Sequence, residues 1–183
     1  MKTFNIFLVI LFLAMTSNLM GFTWGGEKTL KELANLAPHI VVGKVLDVTC
    51  QTGKYLEQDD FIFTYVKLSV QTSLKGDTLA QILTLKIPGG QIGDRVIGGE
   101  RSFRFSKGEK VLLFLRPTDK NYYEIYSISG KLSVAKSVDD EYFDCSLLKE
   151  DEISKYGYGS KIKTENIINR IKEYIAEKGA ESK

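Results

Sequence analysis

IFTYVKLSV, residues 62–70, decides the fold class. Ile62, Thr64, Val66, Leu68 and Val70 fall on one face, and Phe63, Tyr65, Lys67 and Ser69 on the other. This two-residue period, carried by β-branched and aromatic side chains, predicts a long strand with one face in a core. Leu74-Lys75-Gly76-Asp77 then turns the chain, and Leu83, Leu85 and Ile87 share a face in a second strand that Pro88-Gly89-Gly90 ends. On the N-terminal side, residues 40–48 (IVVGKVLDV) form another β-branched run, in which Gly43 marks a bulge or bend. The polar stretch 51–60 between them has the composition of a surface loop.

Further along, Val111 to Leu115 is an unbroken apolar run, the pattern of a strand buried on both faces. Residues 122–128 and 131–134 suggest a hairpin turning at Ser129-Gly130. Residues 136–163 are mixed and favour no single element. Two helices flank the strands. Thr29-Leu30-Lys31-Glu32 has the form of a capping box, and Leu30, Leu33, Leu36 and Ala37 make one face of a short helix over 29–37 that Pro38 stops. Thr164 is placed to cap a second, amphipathic helix over 164–178, with Ile167, Ile168, Ile171, Tyr174 and Ile175 along one stripe and Gly179 just past its end. That stripe suits docking on the sheet.

The sum is a mainly β, α+β body: an OB-like β-barrel of five or six strands with a short N-terminal and a C-terminal amphipathic helix, with a β-sandwich as the alternative. The chain has 183 residues, enough for one such core, and 43% are apolar. Residues 1–22 have the layout of a secretory signal peptide: Lys2, then an apolar stretch from Phe7 to Met15, shorter than the roughly 20 residues of a bilayer span. Residues 23–38 are then a helical lead-in, 39–136 the barrel core and 137–183 the C-terminal segment. The expectation is a secreted or periplasmic protein with no stable membrane insertion once the signal is removed. The net charge of +2 falls to +1 without Lys2, which gives no nucleic-acid footprint.

Chemistry is sparse. Export permits a disulfide between Cys50 and Cys145, and two free thiols are the alternative. His39, the sole histidine, has no nucleophile elbow to serve and is read as structural. One His and two distant Cys do not make a zinc site, and the acids Glu57, Asp59 and Asp60 or Asp139, Asp140 and Glu141 lack the EF-hand spacing, so no metal site is assigned. No phosphate or dinucleotide fingerprint is present, and no cofactor is expected. The most unusual segment is GGQIGDRVIGG, residues 89–99. It reads either as a flexible binding loop presenting Gln91, Asp94 and Arg95, or as a wide turn that needs positive φ. Phe61, Phe63, Tyr65, Tyr122, Tyr123 and Tyr126 offer an aromatic platform or ordinary packing.

From Leu33 to Val134 the chain resembles a family of exported, largely uncharacterised bacterial proteins. The resemblance rests on Ile40-Val41-Val42-Gly43-Lys44-Val45, Phe63-Thr64-Tyr65-Val66, Leu74-Lys75-Gly76-Asp77, Pro88-Gly89-Gly90, Gly93, Phe103, residues 108–115 (GEKVLLFL) and Gly130-Lys131-Leu132, in that order. It implies an OB-like fold and export, and no chemistry. A remoter likeness is to netrin and tissue-inhibitor modules, some of which inhibit metalloproteases through an N-terminal Cys; here the first Cys is Cys50, inside the chain. The leading expectation is therefore a non-enzymatic binding module for a protein or cell-envelope ligand, with no assigned catalytic residues. The alternatives are a hydrolase using carboxylates such as Asp94 and Glu109, and a netrin-like protease inhibitor.

Overall fold

The computed structural model describes residues 26–76, 81–98, 103–118, 121–136, 140–148 and 161–181. The expected signal peptide lies outside them. In chain order the elements are α1 (Leu30–Leu36), β1 (His39–Tyr55), β2 (Gln58–Lys75), β3 (Ile82–Pro88), β4 (Gly90–Ile92), β5 (Arg95–Ile97), β6 (Lys110–Pro117), β7 (Tyr123–Ile125), β8 (Lys131–Lys136), β9 (Glu141–Asp144), β10 (Lys161–Lys163) and α2 (Thr164–Glu181). Among the described residues the body is mainly β with two helices, as the alternation and the capping signals require. Among the described residues, no helix is long and apolar enough to cross a membrane.

Five strands close on themselves in the order β1-β2-β3-β7-β6, with β6 returning to β1. The contact between β3 and β7 is parallel, and the other ring pairings are antiparallel. Inside the ring lie Val41, Val45, Val66, Leu68, Leu83, Leu85, Ile87, Val111, Leu113, Leu115 and Ile125. The opposite faces of β1 and β6, carrying Ile40, Val42, Leu112 and Phe114, form a second core with Leu132, Phe143, Ile162 and the two helices. Residues 111–115 are thus all fully buried because odd positions enter one core and even positions the other. The register shift between Val42 and Gly43 is the expected irregularity.

Several expectations need correction. Residues 51–60 are not a surface loop: β1 and β2 continue through them as one hairpin closed by a two-residue turn, Leu56-Glu57, because the cross-strand pairing from Thr49–Tyr65 to Tyr55–Gln58 is kept. Segment 89–98 is also a hairpin, β4 paired with β5 in a separate two-stranded sheet. Strands β7 and β8 do not pair with each other; both run antiparallel to the same edge of β6. Leu115 faces Ile125 and Leu113 faces Lys131, so two steps on β6 span six on its partner. The four extra residues form a corner in which Ser127, Ile128, Ser129 and Gly130 are buried, and there the chain leaves the ring for the outer strands β8, β9 and β10.

The helices follow their signals with three adjustments. The Thr29 hydroxyl accepts from the Glu32 amide (3.1 Å) and Glu32 Oε2 accepts from the Thr29 amide (2.8 Å), so the capping box is formed. The buried face of α1 is Leu30, Leu33, Ala34 and Ala37; Leu36 is exposed, about 120° around the helix from Leu30. In α2, Ile167, Ile171 and Tyr174 dock on the sheet as expected. The helix runs through Gly179 to Glu181, and Thr164 stands within it rather than before it. Lys178, which donates to the Asn35 carbonyl (2.8 Å), ties this last turn to α1. Lys75 donates to the Ala34 and Asn35 carbonyls at the same helix end (2.7 and 3.0 Å). Burial, and then the charge of Lys178, lowers its pKa.

Candidate binding surface at the arm and the glycine hairpin

β6 pairs with β1 only as far as Lys44, and β3 pairs with β2 only up to the Thr64–Ile87 pair. Beyond these points the β1–β2 hairpin projects from the ring as an arm, residues 49–64. Strand alternation gives the arm two faces. One carries Tyr55, Phe61 and Phe63, whose rings contact each other at centroid distances of 4.6, 5.9 and 5.2 Å. The Lys86 ammonium lies 4.1 Å from the Phe63 ring centre. On the same side, Tyr65 meets Tyr122 at 5.6 Å. Burial, and then the Glu124 charge, raises the Tyr55 pKa above 10.0, and Glu124 is itself held by Arg116. Burial, and then Tyr122, does the same to Tyr65.

This arrangement settles how the six aromatics divide. The rings of the arm are inclined to one another by 34–72°, and Phe63 is only 3% exposed. They therefore pack as a small core of the arm and do not present parallel stacking faces. Tyr123 packs against the ring core and meets His39 edge-on at 5.5 Å, while Tyr126 packs against the helix-side core.

The other face of the arm is covered by the glycine hairpin. The Gly89 amide donates to the Ile62 carbonyl (2.8 Å), and Thr64 Oγ1 donates to the Gly89 carbonyl (2.7 Å). Cys50 Sγ lies 3.5 Å from Thr64 Oγ1. Gly90 sits directly over this patch: a methyl group there would lie 2.6 Å from Thr64 Oγ1, 2.8 Å from Cys50 Sγ and 3.2 Å from Ile62 Cγ2. Arg95 donates to Asp60 Oδ2 (2.8 Å) and to the Asp60 carbonyl (3.2 Å), bridging hairpin and arm.

Of the three residues singled out in the glycine segment, all are exposed and they have different duties. Arg95 is a fastening to Asp60. Gln91 Nε2 donates to the Gly93 carbonyl within its own hairpin (3.0 Å). Asp94 is the second residue of the Gly93-Asp94 turn. Sequence reasoning missed Leu56. It occupies the first turn position of the arm with φ 53° and is 71% exposed. The turn residues carry no Gly, Asn or Asp, so the dipeptide held no turn signal to find.

The remaining chemical candidates are dispersed. Glu109 accepts from Lys131 (2.6 Å), from Ser133 (2.7 Å) and from the Ser106 amide (2.9 Å), closing the loop that precedes β6. Burial pushes its carboxyl up, but these donors outweigh that and hold it below 4.5. His39 begins β1, against Gly76 and Tyr123. Glu109, His39 and the Gly93-Asp94 turn thus have separate surroundings. Cys50 and Cys145 are free thiols: the first is on the arm, and the second is wholly buried in the helix-side core, where burial and then Asp144 push it up to about 12. Among the described residues, no three of His, Cys, Asp and Glu gather into a ligand cluster.

No protein-family model and no curated protein matches this chain.

Proposed function

We propose that the protein is an exported, non-enzymatic binding module of the bacterial type it resembles, and that the end of the arm, with the glycine hairpin beside it, is its recognition surface for a protein or cell-envelope ligand. One observation carries this reading: Leu56 is placed where neither conformation nor burial rewards a leucine. A left-handed backbone costs a non-glycine residue about 1 kcal/mol or more. At the other described non-glycine position with positive φ stands Asn121, a residue type that tolerates it. Leu56 instead exposes most of an apolar side chain at the tip of an arm that carries an aromatic cluster on one face. An anchor of this kind suits insertion into an apolar pocket of a partner. The leader supports export, because Lys2 followed by a short apolar run is a secretory address.

The test is capture from periplasmic and secreted fractions with the processed chain as bait, run in parallel with Leu56→Asn. The expected result is a defined partner retained by the wild type and lost by the variant, with the variant at least as heat-stable. Equal retention by both removes Leu56 from the surface. Turnover of a screened substrate that disappears in Asp94→Ala would replace the binding reading with the hydrolytic one.

A further inference from the structure

We propose that the β4–β5 hairpin is a lid on the arm, hinged at glycines and latched by Arg95 on Asp60. Its two ends bend where only glycine is at ease: Gly89 and Gly90 have φ 98° and 147°, and Gly98 has φ 139°. Between them the hairpin pairs only with itself, in a sheet separate from the main one. Neither core cluster contains a residue from 90–98, so lifting the hairpin opens neither core. Its fastenings to the arm are the backbone link at Gly89, the Thr64 hydroxyl bond to the Gly89 carbonyl and the Arg95–Asp60 pair. Arg95 and Asp60 are 54% and 74% exposed, so water and salt compete for that pair.

The closed position is nonetheless a close fit. Gly90 leaves no room for a side chain above Thr64, Cys50 and Ile62. Opening uncovers a hydroxyl, a thiol and an apolar side chain together on the inward face of the arm. The inference depends on hinge and latch geometry alone and stands whether or not Leu56 anchors a partner.

Cys50 is half-buried beneath the closed hairpin, so a change in its rate reports the lid, while Cys145 reports the whole fold, which makes the test internal to one molecule. The processed full chain is treated with iodoacetamide under native conditions, and modification of each cysteine is followed by peptide mass spectrometry. Cys50 is expected to react faster than Cys145, which is fully buried. Arg95→Gln is expected to speed Cys50 about two- to fivefold, the worth of an exposed ion pair, and 1 M salt is expected to do likewise in the wild type alone. Gly90→Ala, whose methyl group cannot seat on Thr64 and Cys50, is expected to speed it about tenfold or more. In every case the Cys145 rate stays unchanged. The lid is overturned if Cys50 and Cys145 react at the same rate, if Cys50 ignores both substitutions, or if the two cysteines accelerate together.

Discussion

The β1–β2 hairpin crosses two environments, and its halves are held by different means. The lower half, around Val41, Val45, Val66 and Leu68, is a wall of the closed ring, and β1 there also backs onto the helix-side core through Ile40 and Val42. The upper half has left the ring and keeps its form through three aromatic rings and Lys86 on one side and a fastened glycine hairpin on the other. The two turns at that end differ as well. Gly93 takes φ 58° at no steric cost, whereas Leu56 takes φ 53° at the arm tip. The lesson is that the ring is organised for burial, while the arm is organised to hold a shape and an exposed leucine in water.

Substitutions can test whether the halves are separate units. Phe114→Ala, at a fully buried side chain of the helix-side core, should cost about 3–4 kcal/mol and lower the global melting transition. Phe63→Ala should cost about 2–3 kcal/mol locally, because it removes the centre of the aromatic cluster. Hydrogen exchange should then show lost protection over 49–64 with the ring amides unchanged. Loss of protection throughout would make arm and ring one cooperative unit.

Glu109→Gln tests the ring side of the comparison at its loop. It takes the carboxylate from Lys131, only 12% exposed, leaving that ammonium to Ser133 and the Phe105 ring, and should cost about 2 kcal/mol in urea denaturation at pH 7. Because the Glu109 pKa is lowered by folding, its contribution is full above 4.5 and fades as the pH falls through the depressed folded value. The stability gap between wild type and variant should therefore narrow below pH 4.5, and a gap that widens in acid would refute the assignment.

The smallest effect has the opposite sign. Leu56→Gly should raise stability by about 0.5–1 kcal/mol, since it relieves the left-handed leucine. A loss of stability would mean that Leu56 is a packing residue and not an anchor.

Legibility follows the same division. The ring strands were readable where a core imposes a period: Ile62 to Val70, Leu83 to Ile87 and Val111 to Leu115 each follow burial. The arm was not, because its stability lies in pairing between polar strands and in contacts such as Tyr55–Phe61 and Arg95–Asp60 that no local period encodes. The glycine segment announced its backbone demand, and the positive φ values met it, but five glycines could not say that the segment would fold back as a hairpin over Cys50. The line of β7 and β8 along one edge of β6 was misread as a hairpin for a related reason: Ser129-Gly130 is a turn signal, yet it marks a buried corner.

That corner bears on the order in which the molecule assembles. Ring closure waits for β6, whose Leu115 lies 76 residues after its partner His39, and then for β7, which joins β6 to β3; β8 can add only along the edge that β6 provides. A chain emerging from its N-terminus can make the β1–β2 hairpin early, with one side of β1 bare until β6 arrives. The interval is long on the scale of local hairpin formation, and an unpaired edge invites other strands. A pulse-labelled nascent chain stopped before Lys110 should accordingly be the species most prone to self-association, and one extended past Lys136 much less so.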